Sequence, residues 1–275
     1  MIDCDVMNIW NGTFTQDVTK DYRISICTVC MNRLNDIRLT LPANIEAERS
    51  YPDVEFVLLD YNSSDGLGDW VKSEMMEHIE SGRLVYYRTE EPQFFNFSHS
   101  RNVAMCLAAG EIINNVDADN YTFNNLADKK PDECWTSYLN KMANDCPDRI
   151  MMARGKRVSH GRLGFYKSDF VDLLGGYDER ITHYGQDQYD LIRRAWHLGF
   201  VMYWWGTMYF SRIYTEYRDR MINLDMSGYG SIKESVNSMR DIGTQNMADK
   251  VFRANAGREW GKANVTKNFT TRLEI

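Results

Sequence analysis

Ile112-Ile113-Asn114-Asn115-Val116-Asp117-Ala118-Asp119 is the stretch on which the reading of this chain turns, a largely apolar run that ends in two carboxylates. Side chains two apart on an extended segment point the same way, so Asp117 and Asp119 are expected to leave the end of a buried strand together. Like charges so close to a fold interior are costly unless a cation neutralises them. Hard carboxylate oxygens suit Mg2+ or Mn2+, ions that keep open positions for phosphate oxygens.

Upstream, Val54-Glu55-Phe56-Val57-Leu58-Leu59-Asp60 is a second near-continuous apolar run that closes on an acid. Arg23 to Val29 reads as a strand before it, and Leu84-Val85-Tyr86-Tyr87 as a short one after it. Between them Leu34, Ile37, Leu41 and Ile45 recur at helical spacing, with Pro42 as a kink. The polar turn Asn62 to Gly66 leads into a helical segment that ends near Ser81, and Ser98 to Ala109 reads as a helix capped by Ser98 or Ser100. Strands alternating with helices of this length predict βαβ units and a mainly parallel sheet. Ligands of such sheets sit at the carboxyl ends of the strands, so Asp60 and Asp117 are expected to meet on one rim.

Downstream, the pattern predicts a helix near 133–143, strands at 150–153 and 164–166, and a turn-rich loop over Gly175 to Arg180. A helix over Asp187 to Leu198 and an aromatic strand over Phe200 to Trp205 follow. From about Ser211 the chain turns polar, with Ile232, Val236 and Met239 outlining one more helix. The expected organisation is an extension over 1–20, an α/β domain over 21–210 and a helical appendage over 211–275. Within that appendage Arg258-Glu259-Trp260-Gly261 is a candidate lid.

Composition narrows the partners. The 275 residues carry a net charge of −7 with a pI near 5.3, which argues against nucleic acid. An anionic ligand must therefore be held by local cations or a metal. Cys27-Thr-Val-Cys30 has the C-x-x-C spacing but lies in an apolar run without a second such pair, so buried free thiols are expected. No basic leader with an apolar core opens the sequence and no stretch of 18 apolar residues occurs, so no transmembrane segment is expected. The sequons at Asn62, Asn96 and Asn120 lie beside Asp60, Arg101 and Asp119, where a glycan would block access to these candidate site residues. The expected location is cytoplasmic, with a peripheral membrane position also compatible.

In this order the pieces resemble the GT-A glycosyltransferases, particularly family two and the related galactosyltransferase-like C-terminal region. The resemblance rests on Ile24 to Thr28 with Arg33, on Val57 to Gly66, and on Ser100-Arg101-Asn102-Val103-Ala104. It continues through Val116-Asp117-Ala118-Asp119-Asn120, then Gly175-Gly176-Tyr177-Asp178-Glu179 and Tyr184-Gly185-Gln186-Asp187-Gln188-Tyr189-Asp190-Leu191. It implies a Rossmann-like GT-A sheet flanked by helices, and transfer of a sugar from a nucleotide-sugar, UDP-linked, to a hydroxyl of a glycan acceptor. Thr28, Arg33, Asp60, Arg101 and Asp117 would bind the donor, and Asp119 with Asp117 would hold Mn2+ or Mg2+. Asp187 would be the general base of an inverting displacement, kept ionised by its helix N-terminus. Tyr184 and Gln186 are candidate acceptor contacts, and Trp204 and Trp205 read either as a stacking surface for an acceptor sugar or as core of their aromatic strand. Asp190 reads as structural or as an acceptor contact, and His99 and His183 read as structural.

Three departures stand out. Tyr61 replaces the second acid of the family's Asp-Asp, and Gln186 replaces the acid before the base. Met208 to Arg212 lacks the His that some relatives supply as a metal ligand. Two other readings stay open: a sugar-phosphate nucleotidyltransferase, disfavoured by the lack of glycine from Thr28 to Asn35, and a non-catalytic carbohydrate-binding protein.

Overall fold

Hydrophobic side chains on both faces of the central strands require cover on both sides, and the chain supplies it with helices. The computed structural model describes residues 9–10, 18–123, 134–146, 150–154, 161–205, 211–214, 216 and 221–275. Among them the strands are β1 (Ile9–Trp10), β2 (Ile24–Cys30), β3 (Val54–Tyr61), β4 (Leu84–Thr89), β5 (Ile112–Asn115), β6 (Ile150–Arg154), β7 (Gly164–Tyr166), β8 (Val201–Trp205), β9 (Asn264–Lys267) and β10 (Thr271–Glu274). The α-helices are α1 (Leu34–Ala47), α2 (Leu67–Glu74), α3 (Met76–Glu80), α4 (Phe97–Leu107), α5 (Trp135–Asp145), α6 (Asp187–His197) and α7 (Ile232–Ala248). The strands form one sheet in the order β1-β8-β6-β7-β5-β2-β3-β4-β9-β10.

β2 pairs in parallel with both β3 and β5, and β3 in parallel with β4, which puts their carboxyl ends on one rim. β7 runs antiparallel to β5, so its amino end, and Gly161 just before it, face that same rim. One side of the sheet packs Ile24, Ile26, Phe56 and Leu58 against Ile37, Leu41, Val71 and Leu139 of α1, α2 and α5. The other packs Val29, Val57 and Leu59 with Val103 of α4, Phe165, and Leu191 and Ala195 of α6. Cys27 and Cys30 fall in opposite layers as buried free thiols, and burial pushes both thiols up, away from the reactive thiolate form.

The structure corrects two local expectations. The cap of α4 is Asn96, whose side chain accepts the His99 amide, so the helix starts before Ser98. The C-terminal segment is not helical throughout. After α7 it returns as the β9–β10 hairpin and pairs antiparallel with β4, extending the main sheet. Only Val265 of that hairpin is buried, so its sequence carries little of the apolar alternation that marks a strand. Asn268 and Phe269 take positive φ at the turn, and Phe269 stacks on Tyr86 at 4.7 Å.

Buried polar groups fasten the C-terminal segment. Asn246 of α7 donates to Asp178 and Asp190, at 2.9 Å each. Asp190 also accepts from the fully buried Arg194, which donates onward to the Leu174 and Gly176 carbonyls. Asp190 is accordingly structural. Among the described residues no helix is long and apolar enough to cross a membrane.

Candidate active site

β5 ends at Asn115, so Asp117, Ala118 and Asp119 form a turn beyond the strand rather than its continuation. The two acids therefore do not share one direction as alternation predicts. Asp117 faces Arg101 and Asn115, both at 2.9 Å, whereas Asp119 lies toward Arg33 at 3.9 Å. Helix α1 holds this turn from below. Thr40 donates to the Ala118 carbonyl at 2.6 Å, and Asn44 both donates to the Asn120 carbonyl and accepts the Thr122 amide. Thr40 and Asn44 are site-building residues that sequence reasoning misses, because a polar residue on the inner face of a helix does not reveal its partner.

The turn opens into a cavity of about 430 Å3 that lies at the carboxyl ends of the parallel strands. Asp117, Asp119, Asp187, Arg33, Arg101, Tyr184 and Gln186 all line it. Thr28 and Asp60 do not. Thr28 is buried and spends its hydroxyl on the Val116 carbonyl. Asp60 is fully buried and accepts from the Ser63 amide, the Tyr86 hydroxyl and Arg88, which ties it to the β3–β4 end. Two of the expected donor contacts thus fall outside the cavity.

Arg101 occupies the centre. It is buried, with one guanidinium nitrogen on Asp117 and another on Asp187, and the Phe97 and Tyr177 rings flank it at 5.1 and 5.7 Å. Burial alone would lower the guanidinium pKa, but the two aspartates more than reverse that. The neighbouring Asn102 grips the Gly175 to Glu179 loop through the Tyr177 backbone and Glu179, so two distant motifs form one unit. Arg101, expected to bind the donor, here bridges two carboxylates.

The acids differ electrically. Burial opposes the charge on Asp117, yet Arg101 and the Asn115 amide outweigh it and hold its pKa below the ordinary carboxylate value. Asp187, the first residue of α6, is the more deeply buried of the two. There burial prevails over Arg101, and nearby Asp117 adds to it, so its pKa is pushed up. That reverses the expectation drawn from the helix N-terminus alone. Gln186, just before it, takes φ +75 after Gly185 at +88, a left-handed pair of residues at the cavity wall.

Other expected contacts sort cleanly. His99 lies between the Tyr61 hydroxyl at 2.7 Å and the Lys262 carbonyl at 2.9 Å, outside the cavity lining. His183 meets the Asp225 carbonyl. Trp204 and Trp205 close β8, beside Ala153 and Arg154 of β6, but their side chains lie outside the described residues, as do Met208 to Phe210. Trp260 packs on Phe170, and the Gly261 amide donates to Glu179, so this stretch is fastened behind α4 and does not close over the cavity. The C-terminal contributors to the cavity are Arg212, Asn223, Leu224 and Val236. Asn223 binds the Met31 carbonyl, the Asn32 amide group and the Phe95 amide, latching this segment across the ends of β2 and β4. Gly161 is a further residue that sequence reasoning misses: at φ +71, a Cβ there would fall 1.9 Å from the Asp117 carboxylate.

With this geometry in place, a family model described as glycosyl transferase family 2 matches residues 25–217. The chain belongs to that family. Its fold is the GT-A fold of solved glycosyltransferases. The mannosyltransferase PcManGT of Pyrobaculum calidifontis, solved with GDP-Man and Mn2+, is 21% identical over 70% of this chain and 57% of that one, with a TM-score of 0.55. GalNAc-T7, solved with UDP, GalNAc and Mn2+, is 15% identical over 82% of this chain and 48% of its own, with a TM-score of 0.59. S. aureus TarS 1-349, solved with UDP-GlcNAc, is 16% identical over 82% of this chain and 67% of that one, at 0.55. This family 2 chain therefore spans about half to two thirds of these structures, and at such identities the likeness is one of fold. No curated protein sequence matches it.

Proposed function

We propose that this family 2 protein transfers a hexosyl or N-acetylhexosaminyl group from a nucleotide-sugar, UDP-linked, to a hydroxyl of a glycan acceptor, with inversion. One observation carries the reading: Asp117, Asp119, Arg101 and Asp187, from separate stretches of chain, line one cavity at the carboxyl rim of a parallel sheet. UDP in two of the three solved relatives supports the choice of base.

Asp187 is the base of this proposal. As the acceptor oxygen bonds to the anomeric carbon, its proton passes to the Asp187 carboxylate. The bond from that carbon to the diphosphate oxygen breaks, and the diphosphate leaves with the electron pair. Burial raises the proton affinity of Asp187, which suits a group that must take up a proton in the transition state. Arg101 orients it and tempers its charge.

The donor set fits a hard divalent cation, Mn2+ or Mg2+. Asp119 presents carboxylate oxygens to the cavity, with Asp117 beside it. Among the described residues no group of three or more His, Cys, Asp or Glu is gathered for a metal, so donor phosphates and water would complete its shell. Such an ion neutralises the departing diphosphate. Tyr184 and Gln186 are the acceptor contacts, joined in this proposal by Trp204 and Trp205 on β8. The GT-A unit over 21–210 is completed by 211–275.

A thermal-shift series with nucleoside diphosphates, with and without Mn2+, tests the reading. Stabilisation by UDP that depends on Mn2+ is expected. Stabilisation by free sugars but by no nucleoside diphosphate would mark a carbohydrate-binding protein instead.

A further inference from the structure

Among the described residues, Arg33, Arg101 and Arg212 bring guanidinium groups to the cavity, and two of them are already engaged. Arg101 is buried between Asp117 and Asp187. Arg33 pairs with Asp36 at 2.5 Å and lies 3.9 Å from Asp119. The third, Arg212, is exposed and forms no ion pair with any described carboxylate. A cation facing the Asp117–Asp119 turn with no described acid of its own is a place for an anion.

Its backbone is not left to chance. Arg212 forms an antiparallel bridge with Asn120, and the Ile213 amide donates to the Asp119 carbonyl at 2.8 Å. Ser211 exchanges backbone bonds with Tyr121 and Phe123, and its carbonyl also accepts from the buried Arg162. Residues opposed across such a bridge place their side chains next to each other, so the strand that carries Arg212 is fastened to the turn that carries Asp119.

We infer that Arg212 binds the diphosphate of the nucleotide-sugar donor and stabilises its departure, taking the phosphate role that Arg101 cannot fill while it bridges two aspartates. This assignment rests on the nucleotide-sugar reading of the cavity. The planar guanidinium would hold two phosphate oxygens at once, on the donor part nearest Asp119, and its positive charge would gain most as the leaving group gains negative charge.

The test is calorimetric titration of the full chain with UDP and with UMP in the presence of Mn2+, for wild type, Arg212→Gln and Arg212→Lys. Wild type should bind UDP more tightly than UMP. Arg212→Gln should lose about tenfold to a hundredfold in UDP affinity, the size of lost charge-assisted hydrogen bonds, and change much less toward UMP. Arg212→Lys should recover part of the loss, and the salt dependence of UDP binding should weaken in Arg212→Gln. The exposed side chain has no described ion-pair partner to lose, so the melting temperature should stay within a degree or two of wild type. Equal UDP affinity in wild type and Arg212→Gln would overturn the assignment while leaving the nucleotide-sugar reading intact. An equal loss toward UDP and UMP would also overturn it, as a general disturbance of the site. Failure of wild type to bind any nucleoside diphosphate would overturn both.

Discussion

Arg101 is the residue on which the site depends, because it balances the buried Asp187 and the partly exposed Asp117, two carboxylates of opposite tendency. Removing it leaves Asp187 buried, and Asp117 partly buried, without their cation. Arg101→Met should therefore cost about 3–5 kcal/mol at pH 7.5, measured by denaturant unfolding. The loss should shrink toward pH 5, because a carboxylate without its cation titrates higher and the neutral acids are cheaper to bury. Asp187 makes a second prediction with a definite sign. Its pKa is raised above the ordinary aspartate value of about 3.9, and only the ionised form accepts a proton. Turnover should fall on the acid side beginning above the usual aspartate range, and Asp187→Asn should remove about 100-fold to 10,000-fold of the rate with donor affinity nearly intact. If donor binding goes with the rate, Asp187 is structural. At this scale Asp117, Asp119 and Asp187 were legible in the sequence, since acids after apolar strands and at a helix start stand out. The fates of Thr28, Asp60 and Arg101 were not. Whether a polar group serves a ligand or a neighbouring chain segment depends on tertiary partners such as Tyr86 and Arg88, which no spacing discloses.

Among the elements, those with a strong period were readable and those set by a single contact were not. The parallel core strands β2, β3 and β5 and the helices α1, α4 and α6 follow from their apolar patterns to within a few residues. The β9–β10 hairpin escaped because an edge hairpin needs to bury only one face, here little more than Val265. Gly161 shows how a loop element shapes the site. Its positive φ and its contact with the Asp117 carboxylate leave no room for a methyl group. Gly161→Ala should displace the Asp117 turn, lower stability by at least ~1 kcal/mol and reduce transfer more than Gly257→Ala, which takes a similar φ but meets nothing within 4 Å. Parallel melting curves and transfer assays of the two variants would decide this, and equal transfer loss would remove Gly161 from the site.

For the molecule as a whole, the C-terminal segment completes the fold and the cavity together. It contributes Arg212, Asn223, Leu224 and Val236 to the cavity, pairs with β4, and ties α7 to α6 through Asn246. Ending the chain at residue 210 should therefore yield an aggregating product with no cooperative melting transition, measurable by light scattering and circular dichroism. The net charge of −7 leaves the local cations of the cavity, with a divalent ion, to hold an anionic donor. Calorimetric titration of UDP into the full chain, with and without Mn2+, tests that claim most directly when repeated on Asp119→Asn. Tight binding with Mn2+, much weaker binding without it, and loss of the Mn2+ effect in Asp119→Asn are expected. UDP binding that is indifferent to Mn2+ and to Asp119, or no binding in any condition, would contradict that claim.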